Sequence, residues 1–219
     1  MGVFSALFSR STTVPPQWEH TSFPPSSHLL HDLPLLAVDV ETTGLNPKKD
    51  VMVSIGWVPI NGRTIDLSQA AELIIQGAPG FSVGSSATIH YFTDEQLASG
   101  VSLDKAMDEL LTALAGRVLL AHFSHIEQQF LARACQKVYR ASFQPPVVDT
   151  FALERRRMER MGTYPRGEDL RLPRVRERYG LPRYPNHSAL HDALACAELY
   201  LAQTVDANSR GKVLGDLRH

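Results

Sequence analysis

The chain has 219 residues, 43% of them hydrophobic, enough for one packed domain of α/β size with short extensions. Its formal net charge of −1 gives no global positive field of the kind that marks many nucleic-acid binders. No apolar run of about 18 residues is present that could span a membrane as a helix. Cys135 and Cys196 fall in alanine-rich helical patterns and read as small buried hydrophobes, not as a redox or metal pair. The N-terminal stretch MGVFSALFSR lacks a basic start and a clean cleavage site, so a cytoplasmic, reduced protein is the default expectation.

In chain order, residues 1–31 carry Pro15-Pro16, Pro24-Pro25 and clustered Ser and Thr. This is the composition of an extended arm, with Trp18 and Phe23 available to pin it to the body. The domain itself is expected over 32–207, with 208–219 as a short C-terminal tail. Leu35 to Val40 is a continuous apolar run broken by Asp39, which predicts a strand covered on both faces. Val51 to Ile60 predicts a second strand, Asn61-Gly62 a tight hairpin, and Arg63 to Leu67 the returning strand, with Ala71 to Gln76 able to extend the antiparallel part. Leu103, Ala106, Met107, Leu110, Leu111 and Leu114 then recur at helical spacing behind Ser102 as N-cap. A strand at Val118 to Ala121, a helix carrying Ile126, Phe130, Leu131 and Ala134, and a strand at Val147-Val148 follow. Residues 152–183 are Arg-rich and read as irregular apart from one helix at Leu172 to Tyr179, and a last helix runs from Ser188 to Val205. The pattern predicts an α/β fold with a mixed five-stranded sheet, an antiparallel meander of three strands followed by parallel ones, flanked by helices. There is no glycine-rich phosphate loop of the Walker or Rossmann type.

Three stretches carry chemistry. In LAVDVETTGLNP, Asp39 and Glu41 are two apart in a strand and so present their carboxylates on one face. Like charges that close raise each other's pKa unless a cation neutralises them, and Mg²⁺ or Mn²⁺ prefer such oxygen ligands. The Thr42-Thr43-Gly44 turn after them is expected to offer free backbone N–H groups and little bulk, which suits a phosphate or sugar end. In LLAHFSHIEQQFL, Glu127 lies in the first turn of a helix; Ser124-x-x-Glu127 matches a capping box, and the same position also suits a reach across the sheet end towards Asp39. In HSALHDALACAELYL, Asp192 sits beside the apolar face near the helix start, with His187 five residues earlier. A histidine beside a metal-bound water has an unperturbed pKa of about 6.5, suited to a general base. Asp149 precedes a helix and reads as its N-cap or as support for the site, and His125 as a surface residue.

The order D-x-E-T-T-G, A-H-x-x-x-x-[D/E], H-x-x-x-x-D resembles the DEDDh 3′–5′ exonucleases of the DnaQ-like superfamily, which includes the proofreading subunit of DNA polymerase III, ribonuclease T and oligoribonuclease. The resemblance covers residues 33–205, and Ala87-Thr88-Ile89-His90 followed by Thr93-Asp94-Glu95 also looks like a family element. One departure stands out: the family's second motif places Asp in an Asn-Ala-x-Phe-Asp context, whereas this chain has Phe123-Ser124-His125-Ile126-Glu127. The extra methylene moves the carboxylate by about 1.5 Å.

The resemblance implies a ribonuclease H-like fold and two divalent metal ions, Mg²⁺ or Mn²⁺, held by Asp39, Glu41, Glu127 and Asp192, with His187 as base. Thr42, Thr43, Gly44 and Leu45 would hold the terminal nucleotide, with His122 and Phe130 lining its site. The implied partners are single-stranded nucleic-acid 3′ ends or short oligonucleotides, and the product nucleoside 5′-monophosphates. A relative weakened or silenced by Glu127, which only binds nucleic acid or a partner, is the alternative. The ten arginines and five acids of residues 154–183 fit either a nucleic-acid track or an ion-paired loop. The oligomeric state stays open, a homodimer included.

Overall fold

The computed structural model describes residues 13–77, 92–184 and 188–217. The stretch Ala87 to His90 and the expected base His187 lie outside the described residues. The sheet is built from β1 (Pro34–Thr42), β2 (Met52–Asn61), β3 (Thr64–Ile65), β4 (Ala71–Ile74), β5 (Val118–Ala121) and β6 (Val147–Asp149). Around it lie α1 (Asp94–Ala98), α2 (Leu103–Leu114), α3 (His125–Tyr139), α4 (Thr150–Arg160), α5 (Leu172–Arg178) and α6 (Ala189–Ser209). The strand order is β3-β2-β1-β5-β6, with β4 also paired to β2; β1 runs antiparallel to β2 and parallel to β5, which is parallel to β6.

The sheet has six strands where five are expected. The returning strand stops at Ile65 because the Asp66 side chain accepts the Ser68 N–H and curls Leu67–Gln69 into a 3₁₀ turn. Ala71–Ile74 then pairs with Ser54–Trp57 as a strand of its own. A second difference is α4, in a stretch expected to be irregular. Asp149 caps it by accepting the Phe151 and Ala152 N–H groups. Its inward face carries Glu154, which is fully buried and accepts from Arg157, Arg178 and Tyr179, so no apolar periodicity announces the helix.

Alternation along β1 sorts the core into two layers. Leu36, Val38 and Val40 pack against α2 and α3, together with Trp18. Leu35 and Ala37 face the other side, under Ala193, Cys196, Ala197 and Tyr200 of α6. By the same period, Asp39 and Glu41 emerge on the α6 side at the end of β1. The described part of the N-terminal arm is anchored by Trp18, whose indole N–H donates to the Leu111 carbonyl and whose ring meets Phe23 edge-on. Leu30 N–H donates to the Lys212 carbonyl and Leu214 N–H to the His28 carbonyl, joining this arm to the last described segment. Among the described residues no helix is long and apolar enough to cross a membrane.

The start of α6 lies directly on β2. A Cβ at Gly56 would stand 2.2 Å from the Ala189 carbonyl carbon and 2.3 Å from the Leu190 nitrogen. Glu72 of β4 fastens the same end, accepting the Ala189 N–H at 3.0 Å and the Ser188 hydroxyl at 3.0 Å. We expect Gly56→Ala to push α6 off the sheet and to lower unfolding free energy by about 2 kcal/mol or more, read from urea denaturation, because backbone cannot yield as a side-chain end can. A stability equal to wild type would show that the helix start is not seated this closely.

Candidate active site

Asp39 pairs with Gly56, and Gly56 with Glu72, so the three lie in one row across β1, β2 and β4. The first turn of α6 sits over that row and brings Asp192 down beside β1. Carboxylate oxygens of Asp39, Glu41 and Asp192 all lie within 4.8 Å of one another, and among the described residues this is the single such cluster of potential metal ligands.

Burial pushes the Asp39 carboxyl well above the usual carboxylate range, and the neighbouring charges of Glu127, Asp192, Glu41 and Glu72, in that order, push it further. Glu127 reaches the site from the first turn of α3. It is 4% exposed, its Oε2 is buried with no hydrogen-bond partner, and burial raises its pKa to about 8. Glu127 stands outside the tight three-residue cluster, yet among the carboxylates it acts most strongly on Asp39. Crowded acids with an orphaned buried oxygen form a donor set that fits hard divalent cations.

The capping box expected at Ser124 is not made. Ser124 has helical backbone angles and no cap hydrogen bond; its hydroxyl and N–H donate instead to Asp149 Oδ2, at 3.1 and 3.0 Å. Asp149 also accepts the N–H groups of Phe123 and Phe151, each at 2.9 Å. Its lone pairs are taken up by the scaffold, and it clamps the turn that launches α3. His125 is exposed and its Nε2 pairs with the Gln129 amide nitrogen at 2.9 Å.

The turn after Glu41 is stiffer and less open than expected. The Thr43 N–H is spent on the Val51 carbonyl, and Thr43 Oγ1 accepts the Val51 N–H. Thr42 Oγ1 donates to the Gly44 carbonyl at 2.8 Å. Asp50 fills the space behind Gly44, where a Cβ would stand 2.6 Å from its Oδ2. The turn therefore holds Leu45 out as a tip that is 76% exposed. Phe130 is 3% exposed and floors a groove of about 390 Å³ beside this turn, with Met52, Ile75 and Leu103 as walls and Lys49 and Arg133 at its rim.

Both ring nitrogens of His122, expected to line the site, have partners within the chain. Burial holds its pKa below the ordinary histidine value. Nε2 pairs with the Leu170 carbonyl and Nδ1 with the Thr150 hydroxyl, each at 2.8 Å. The ring braces the Arg-rich segment against the sheet. Five of its ten arginines are ion-paired: Arg157 and Arg178 meet Glu154, Arg176 meets Glu198, Arg174 meets Asp169, and Arg183 meets Glu177. A cavity of about 350 Å³ lined by Arg174, Arg183, Tyr184 and Asp192 opens beside the carboxylates. Sequence reasoning missed Glu72 altogether, because an acid in a short edge strand carries no signal that it faces Asp39.

Residues 36–200 match a family model described as exonuclease. The chain is 30% identical over 171 residues to the PolC-type DNA polymerase III of Thermotoga maritima, covering 78% of this chain but only 12% of that relative. It is 26% identical over 165 residues to the DNA polymerase III epsilon subunit of Treponema pallidum, covering 75% of this chain and 73% of the relative. Among solved structures it resembles exonuclease I of Methylocaldum szegediense with a TM-score of 0.65 at 16% identity, over 79% of this chain and 40% of that one. It also resembles E. coli exonuclease I in complex with a dT13 oligonucleotide, with a TM-score of 0.65 at 15% identity, over 81% and 42% of the respective chains. The sheet order and helix placement are those of this ribonuclease H-like fold, and the chain belongs to the DnaQ-like DEDDh exonuclease superfamily.

Proposed function

We propose that the protein is a metal-dependent 3′–5′ exonuclease that hydrolyses terminal phosphodiesters of single-stranded DNA or RNA and releases nucleoside 5′-monophosphates. The observation that carries this reading is the carboxylate cluster of Asp39, Glu41 and Asp192, joined by the orphaned buried oxygen of Glu127. These four residues would hold two Mg²⁺ or Mn²⁺ ions, which when bound supply charge neutralisation at the reacting phosphate and a lowered pKa for water. His187 would take the proton from the attacking water. Leu45, held out by the Thr42-Thr43-Gly44 turn, would wedge against the terminal base, and the groove over Phe130 would receive its nucleoside. A cytoplasmic site of action accords with this chemistry. A second reading follows from the PolC-type and epsilon relatives: the same chemistry serving as proofreading beside a polymerase.

The direct test uses a 3′-labelled oligonucleotide with Mn²⁺. Wild type should release labelled mononucleotide, and Asp39→Ala should lose at least about a hundredfold in rate. Equal rates for the two would end the enzyme reading in favour of a binding role. Glu127→Asp should lower the rate, because the shorter arm withdraws the carboxyl from Asp39; a gain would show that the longer side chain itself weakens activity here.

Protonation gives an independent test. A carboxyl with a raised folded pKa stabilises the fold fully below its unfolded value and loses that contribution as pH rises through the folded one. For Glu127 the window runs from the ordinary 4.5 to about 8, with Asp39 shifted the same way. In EDTA the melting temperature should therefore fall as pH rises through this window, and Glu127→Gln should flatten the fall. Mn²⁺ should restore wild-type stability most strongly at the alkaline end. A wild-type curve as flat as that of the Gln variant would count against crowding at this site.

A further inference from the structure

Phe123 has a backbone φ of +69°, a left-handed conformation that bulky side chains rarely adopt. It occupies the position where the family pattern has Asn, a residue that tolerates this conformation. The exchange leaves a large apolar residue on the surface, since Phe123 is 45% exposed. The conformation is nevertheless firmly held, because the consecutive N–H groups of Phe123 and Ser124 both donate to Asp149.

The ring is also supported from behind. Its centroid lies 5.0 Å from that of Phe151, and the exposed Arg155 places its guanidinium 5.4 Å from the Phe151 centroid. The cluster stands at the catalytic edge of the sheet: β5 runs parallel beside β1, Ala37 opposite Leu120, and Phe123 follows its end, four residues before Glu127. Parallel neighbours are about 4.8 Å apart, so the ends of β1 and β5 lie side by side at this edge. A rigid, exposed aromatic face with a cation beside it matches the chemistry of a nucleobase and its phosphate.

We propose that Phe123, backed by Phe151 with Arg155 over the Phe151 ring, is a stacking platform for a base of the single-stranded nucleic acid whose end is being hydrolysed. This rests on the exonuclease reading above, and deepens it by naming a substrate-binding residue particular to this chain. The platform binds by shape and π-stacking without reading a sequence, so it serves bases generally.

The test compares wild type, Phe123→Asn and Phe123→Trp in Mn²⁺-dependent steady-state hydrolysis of an oligothymidylate, with melting temperatures measured alongside. Phe123→Asn relieves the backbone strain, so its melting temperature should equal or exceed wild type while KM rises roughly tenfold, with the loss confined to KM. Phe123→Trp keeps a stacking face and should keep the wild-type KM. A wild-type KM in Phe123→Asn, or a KM raised as much in Phe123→Trp, overturns the platform while leaving the exonuclease reading intact. Failure of wild type to release any mononucleotide overturns both.

Discussion

The bare backbone at Gly56 sets the geometry on which the site depends. Because no side chain stands there, the start of α6 can rest against β2, and its first turn then carries Asp192 to the end of β1. The first-turn amides of a helix are a partial positive charge, and they are aimed here at a row of acids. Glu72 exploits this by accepting the Ala189 N–H. The same carboxylate adds to the negative field at Asp39, two strands away in the same row. The helix is thus anchored by an acid that worsens the crowding it creates, which makes sense if the crowded end is to be completed by cations.

Part of the positive charge in the chain is turned inward, away from this row. Glu154 is fully buried and receives two arginines and the Tyr179 hydroxyl. Arg176, 3% exposed, donates to the Ala195 and Pro182 carbonyls as well as to Glu198. Buried ion pairs with every donor satisfied add little net stability but tolerate only one arrangement. Here they lock α4, α5 and α6 together, and His122 ties the same region to the sheet through Leu170. The basic look of residues 154–183 is therefore in part a matter of scaffold, with Arg155, beside Phe151, among the arginines that stay on the surface.

Much of this architecture is legible in the amino-acid sequence because it follows simple periods. The two-residue spacing of Asp39 and Glu41, the apolar stripe of α6 and the strand patterns of β1, β2 and β5 all survive intact in the fold. What escapes is decided by partners distant in sequence. Residues 150–160 hide a helix because its core-facing residue is an acid, acceptable only once Arg178 and Tyr179 arrive from beyond α5's start. Ser124 matches a cap by spacing but is claimed by Asp149, 25 residues away. The Thr43 N–H is taken by the Val51 carbonyl just past the ladder, so it is lost to a ligand, and the left-handed turn at Phe123 breaks the local preference of its own residue.

The family match begins at residue 36 and ends at 200, yet the core does not respect those limits. Trp18 and Leu30 before it, and Leu214 and Leu217 after it, are all buried. The two flanks are also laced to each other by backbone hydrogen bonds between 26–30 and 212–215. A fragment trimmed to the matched segment would strip the indole from the groove over α2 and bare the underside of α6. The smallest autonomous unit of this chain is accordingly larger than its enzyme signature, and both flanks are parts of a single clasp that closes the domain.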